Sequence, residues 1–165
     1  MICTKSKGFV DLSNRLQADT YLTVQDNDVI FGIINKKPTQ LKIDENNQTQ
    51  IYKVAPLSEK YDCTNSTYYR YITNNQNSPF VITCNQGKKQ IVLFWKNIEE
   101  EPVNITAKIL KARAIKSSDT VLKIKKRRKG ELEIYYLRSA DKKVGKYTST
   151  SLRYFMVTIK IKDLA

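Results

Sequence analysis

The chain has 165 residues, no histidine and three cysteines, and its 29 lysines and arginines outnumber 16 acidic residues, for a formal charge of +13. The missing histidine removes Ser–His and Cys–His nucleophiles and the commonest neutral metal ligand, and three cysteines cannot build an all-cysteine zinc site. What remains is one domain long enough to bury a core, with no pattern calling for a cofactor and a charge that reads either as favouring acidic partners or as a lysine-rich surface that guards sheet edges against aggregation.

No apolar run is long enough to cross a membrane, and the start lacks the succession of a signal peptide. Residues 1–18 are read as an N-terminal segment ahead of a single domain over 19–165. Its one helical hint is Leu12 and Leu16, four apart beside Ser13. From there the chain punctuates as an all-β protein. Tyr21-Leu22-Thr23-Val24 predicts a strand, and Val29-Ile30-Phe31-Gly32-Ile33-Ile34 another, closed by Asn35-Lys36-Lys37-Pro38. Further strands are predicted over 40–43, 50–55, 68–73, 79–83 and 90–95, each β-branched or aromatic and bounded by turn residues. Glu99-Glu100-Glu101-Pro102 reads as a solvated loop.

Val103-Asn104-Ile105-Thr106-Ala107-Lys108-Ile109 alternates and predicts a strand, as do 120–125 and 131–137. Over 153–162, Phe155, Val157, Ile159 and Ile161 share one face, while Tyr154, Met156, Thr158, Lys160 and Lys162 share the other. With no helices between strands to build parallel crossovers, the expected architecture is an antiparallel β-sandwich in preference to a barrel.

Several features admit competing interpretations. Lys123, Lys125, Lys126, Arg127, Arg128 and Lys129 form a basic run ending at Gly130. It reads as a polyanion clamp, or as a hairpin tip turning at Lys129-Gly130 between arms at 120–124 and 131–137; a tip can also bind anions. Cys63 and Cys84 bracket a polar, Asn-rich stretch. They read as a disulfide staple in an oxidising compartment or as two small buried thiols, with Cys3 left over. Tyr68, Tyr69 and Tyr71 around Arg70, and Tyr135 with Tyr136, are read as sheet residues before stacking platforms. Asn47-Gln48-Thr49, Asn65-Ser66-Thr67 and Asn104-Ile105-Thr106 match the glycosylation pattern, as expected by chance in so Asn-rich a chain.

Three segments carry a family resemblance: Leu132-Glu133-Ile134-Tyr135-Tyr136, Gly145-Lys146-Tyr147-Thr148-Ser149-Thr150 and Phe155-Met156-Val157-Thr158-Ile159. Together they resemble the antiparallel run, Gly-x-Tyr turn and terminal strand of chaperone–usher pilus subunits, including colonisation-factor-type and spore-coat-U-like pilins. The resemblance implies an immunoglobulin-like sandwich missing one strand, completed by a donor strand from a neighbour. Leu22 and Val24 are the donor residues it suggests. The expected protein is then a non-enzymatic, secreted or cell-surface subunit, periplasmic in transit. It would assemble with other subunits or a chaperone, its basic tip meeting an anionic glycan or membrane surface. The alternative is a cytoplasmic β-domain binding nucleic acid through residues 123–129.

Overall fold

The computed structural model describes residues 2–4, 8–10, 20–24, 29–66, 69–71, 78–113, 116, 118–128 and 130–164. Its strands are β1 (Ile2–Thr4), β2 (Gly8–Val10), β3 (Thr20–Val24), β4 (Val29–Ile34), β5 (Lys37–Ile43), β6 (Thr49–Val54), β7 (Tyr69–Tyr71), β8 (Phe80–Gln86), β9 (Lys89–Trp95), β10 (Val103–Asn104), β11 (Thr120–Arg128), β12 (Glu131–Val144) and β13 (Tyr147–Lys160). One helix, α1 (Thr106–Arg113), and a 3-10 turn at Ile161–Asp163 complete the described elements. Leu12 and Leu16, the helical hint, lie outside the described residues.

The protein is all-β, as its punctuation predicts. The strands form a β1–β2 pair, a sheet of β3 to β6, a sheet of β7 to β10 and a sheet of β11 to β13, every pairing antiparallel and between chain neighbours. An immunoglobulin-like sandwich exchanges strands between sheets through Greek-key connections. Among the described strands there is none: each sheet is a meander of chain neighbours. Tight turns are the local cause. Asn35 and Lys36, with φ of 48° and 69°, make the two-residue turn between β4 and β5, as a type I′ turn requires. Lys37 and Pro38, expected to end the strand, therefore begin the next one.

The β7–β10 sheet is apolar on both faces and supplies two cores. Phe80, Ile82 and Cys84 of β8, with Ile91, Leu93 and Trp95 of β9, join Phe31 and Ile33 of β4 in the first. Phe80 stacks on Trp95 at 4.9 Å and meets Phe31 edge-on at 5.1 Å. Val81, Val92 and Phe94 point the other way, into a second core with Ile124, Leu132, Ile134, Tyr136 and Ile159 of the last sheet. Strand periodicity makes this division, since successive side chains take opposite faces.

One predicted strand is mostly a helix. Only Val103–Asn104 pairs with β9, and α1 follows. The Asn104 side-chain oxygen accepts the Thr106 N–H at 3.1 Å and so turns the chain into the helix. The Thr106 hydroxyl accepts the Val92 N–H at 2.8 Å and ties the helix start to β9. Ile105 and Ile109, four residues apart, then enter the second core together.

Candidate functional site

The site is built on β12 and β13, each 14 residues long and in unbroken register from Glu131 opposite Lys160 to Val144 opposite Tyr147. Gly145, at φ 63°, opens the two-residue turn that joins them. The base of this hairpin belongs to the body. Leu132, Ile134, Tyr136 and Ile159 are buried there, and Phe155 stacks on Tyr136 at 5.2 Å. β11 stops pairing at Leu137, so beyond it the two strands run on alone. Residues 139–154 are all exposed. From Arg138 to the turn this arm reaches about 20 Å at the usual rise per residue.

A half-buried ion pair anchors the arm's root, with the Asp119 side chain buried and Arg138 partly exposed. Arg138 donates from Nε and Nη2 to the two Asp119 carboxylate oxygens at 2.9 and 2.8 Å, and the Lys116 N–H donates to Asp119 at 2.7 Å. The Arg138 guanidinium also lies 4.9 Å over the Phe155 ring. Arg138 holds the Asp119 carboxyl below the ordinary aspartate range, the opposing effect of burial notwithstanding, and Asp119 in turn raises the Arg138 guanidinium.

The outer edge of β13 carries no strand among the described residues. The turn geometry decides which groups face it. In a two-residue hairpin the residues flanking the turn are hydrogen-bonded to each other, and bonded and non-bonded pairs then alternate. Val144 and Tyr147 flank the turn, so Tyr147 and every second residue after it bond inward to β12. Thr148, Thr150, Leu152, Tyr154, Met156, Thr158 and Lys160 direct their N–H and C=O groups outward. The same residues place their side chains on the solvent face, where Leu152, Tyr154 and Met156 are 55%, 71% and 48% exposed. Leu137 lies opposite Tyr154 and Tyr135 opposite Met156, extending this apolar strip across two strands.

The basic run is a hairpin arm. β11 and β12 pair from Thr120 opposite Leu137 to Arg128 opposite Glu131, with Gly130 at φ 78° in the turn. Much of its charge is answered from β12. Glu133 lies 3.8 Å from Lys125 and 3.7 Å from Arg127, and Glu131 takes two hydrogen bonds from Arg128 at 2.6 and 3.0 Å. Arg128 accordingly holds the Glu131 carboxyl low, while the hydrogen bond to Glu133 at 2.8 Å raises the Tyr135 phenol. Lys123 and Lys126 are exposed with no carboxylate partner among the described residues; Lys129 lies outside them. On the arm, Lys142, Lys143, Lys146 and Arg153 are also exposed and without an ion-pair partner among the described residues.

Cys63 and Cys84 form a disulfide with both residues buried in the first core. Leu22 and Val24 lie in β3, which pairs with β4 of its own chain: Tyr21 opposite Gly32, Thr23 opposite Phe31 and Val24 opposite Ile30, with Leu22 at the register shift. Tyr136, read as a sheet residue, is in the second core. Tyr69 and Tyr71 lie on β7, while Tyr68 lies outside the described residues. A cavity of about 430 Å³ opens between α1, β9 and β11, lined by Val92, Ile109, Leu110 and Val121 with Gln90 and Asp119 at its rim. Both polar groups are already engaged, Gln90 with Val121 and Asp119 with Arg138.

Sequence reasoning missed residues 138–152 as part of the site. Its only signal there was the Gly145 turn, because an arm exposed on both faces shows no alternation of burial. No family model, curated protein or solved structure matches this chain.

Proposed function

We propose that this chain is a non-enzymatic binding and assembly module of the secreted or cell-surface space, acting as a pilus-type subunit by β-strand addition at the outer edge of β13. The observation that carries the reading is the row of outward N–H and C=O groups from Thr148 to Lys160, with an exposed apolar strip above it. An open edge of this length is a template for another strand: main-chain bonds supply affinity, and alternate side chains supply selectivity. The Cys63–Cys84 bond supports an oxidising compartment. A donor role for Leu22 and Val24 would require β3 to leave β4, so acceptance at β13 is the step better supported.

Peptide-display selection against the immobilised full chain tests this. Enriched peptides are expected to be extended and alternating, and to lose binding to Thr150→Pro and Leu152→Pro. Those prolines remove outward N–H groups while leaving the bonds to β12. Peptides that bind both proline variants as well as the unmodified chain would refute strand addition at this edge.

Lys123, Lys126 and the arm cations favour a second contact, with an anionic glycan. It is expected to weaken steeply with salt and on neutralising Lys123 and Lys126. If an oligonucleotide binds with the same residue dependence and a glycan does not, the nucleic-acid alternative takes its place.

A further inference from the structure

We infer that the strand accepted by β13 is β13 of a second copy, joined antiparallel about a two-fold axis through Tyr154. This rests on the strand-addition reading above and narrows it: a two-fold pairing closes on itself, so β13 would join copies in pairs and would not itself extend a fibre. β13 spans Tyr147–Lys160, so pairing it with itself over nearly its full length puts the axis at Arg153 or Tyr154. Either axis sets outward-bonding residues opposite one another, so the side chains separate the two. An axis at Arg153 would set two arginines directly opposite in a closely spaced non-hydrogen-bonded pair, which destabilises a sheet. Tyr154 directs both main-chain groups outward and can exchange two hydrogen bonds with its own copy.

The rest of the register agrees. Residues equally far on either side of Tyr154 become partners, so each outward-bonding residue meets another. Leu152 meets Met156 of the second copy, Thr150 meets Thr158, and Thr148 meets Lys160. Between them Ser151 meets Val157, Ser149 meets Ile159 and Arg153 meets Phe155, a cation beside an aromatic ring. Arg153 and Lys160 are the only charged residues of β13, and neither faces a cation. Because an axis perpendicular to the sheet leaves each face on its own side, the exposed Leu152, Tyr154 and Met156 strips run together into one. The outcome is a six-stranded sheet with an isologous centre.

The net charge gives this association a signature. Two copies at +13 repel, and salt screens the repulsion, so self-pairing strengthens with salt where polyanion binding weakens.

Sedimentation of the full chain at low and high salt tests the proposal, with Leu152→Pro and Tyr154→Arg as variants. The unmodified chain is expected to dimerise, increasingly with salt. Each variant should weaken association roughly tenfold or more with an unchanged thermal melt, Tyr154→Arg by setting two cations opposite each other. Tyr154→Cys in a Cys3→Ser background should give a disulfide-linked dimer on mild oxidation, whereas Thr150→Cys should not. A chain monomeric at every salt, or a dimer indifferent to both substitutions, overturns self-pairing. If the chain stays monomeric while selected peptides still bind and are lost on Leu152→Pro, strand addition stands and only the second copy falls. If neither dimer nor peptide binding is found, both fall.

Discussion

The side chain of Gln90 holds both main-chain groups of Val121, its oxygen accepting the Val121 N–H at 2.8 Å and its nitrogen donating to the Val121 carbonyl at 3.3 Å. β9 and β11 belong to different sheets, so one carboxamide supplies the ladder their backbones lack. Gln90→Leu keeps the bulk and leaves two main-chain groups unpaired beside the second core. It is expected to cost about 1–3 kcal/mol, read as a lower urea midpoint with an unchanged slope. Gln90→Glu keeps the acceptor and should lose less; equal losses from the two would count against the bond to the Val121 N–H.

Acid is expected to loosen the root of the arm. Arg138 depresses the folded-state pKa of Asp119, so the stability this group contributes is complete above the ordinary aspartate value of about 3.9. It is lost as pH falls through the depressed folded value. Asp119→Asn should melt several degrees lower at neutral pH and show a shallower loss of stability on acidification. Parallel thermal melts of the two proteins from neutral to strongly acid pH check this; superimposable curves would remove Asp119 from the account.

The Cys63–Cys84 bond closes a loop with a sequence separation of 21. In the chain-entropy treatment such a link stabilises by about 3 kcal/mol. Cys63→Ser with Cys84→Ser should lower Tm by roughly 10 °C. Reducing agent should destabilise the unmodified chain and leave the double variant unmoved.

Glu133 answers both Lys125 and Arg127, so Glu133→Gln is expected to raise the salt needed to elute the chain from a polyanion column. Lys126→Gln should lower it, and by more than Arg128→Gln, because Arg128 is already engaged with Glu131. Identical elution of the two cation variants would mean that these ion pairs do not set the accessible charge.

The closing strand was legible from its alternation: Phe155, Val157 and Ile159 turn toward the second core while Tyr154 and Met156 face solvent. The helix at Thr106–Arg113 was not, for a physical reason. Ile105 and Ile109 are four apart, a spacing that satisfies both a period of two and a helical turn, and Asn104 breaks the tie only through its side-chain bond to Thr106. The basic run was visible as charge, but its neutralisation depends on register, which alone places Glu133 opposite Lys125. The open edge was hidden more deeply. Which amides of β13 face outward follows from the turn at Gly145 and Lys146, ten residues before the strip they accompany reaches Met156.

The arm also imposes an order on how the molecule opens. Its serines and threonines bury nothing on either face, so beyond Arg138 the two strands are held by main-chain bonds, the turn and two exposed side-chain hydrogen bonds. These run from the Thr150 hydroxyl to Asp141 at 2.7 Å and from the Ser151 hydroxyl to the Ala140 carbonyl at 3.3 Å. Such a ribbon behaves as a zipper pinned at its base: it closes last, outward from the core, and frays first from Tyr147 inward. Amide exchange along β12 and β13 should therefore grade from slow beside Tyr136 to fast beside Val144, and local opening at the tip leaves the folded body intact.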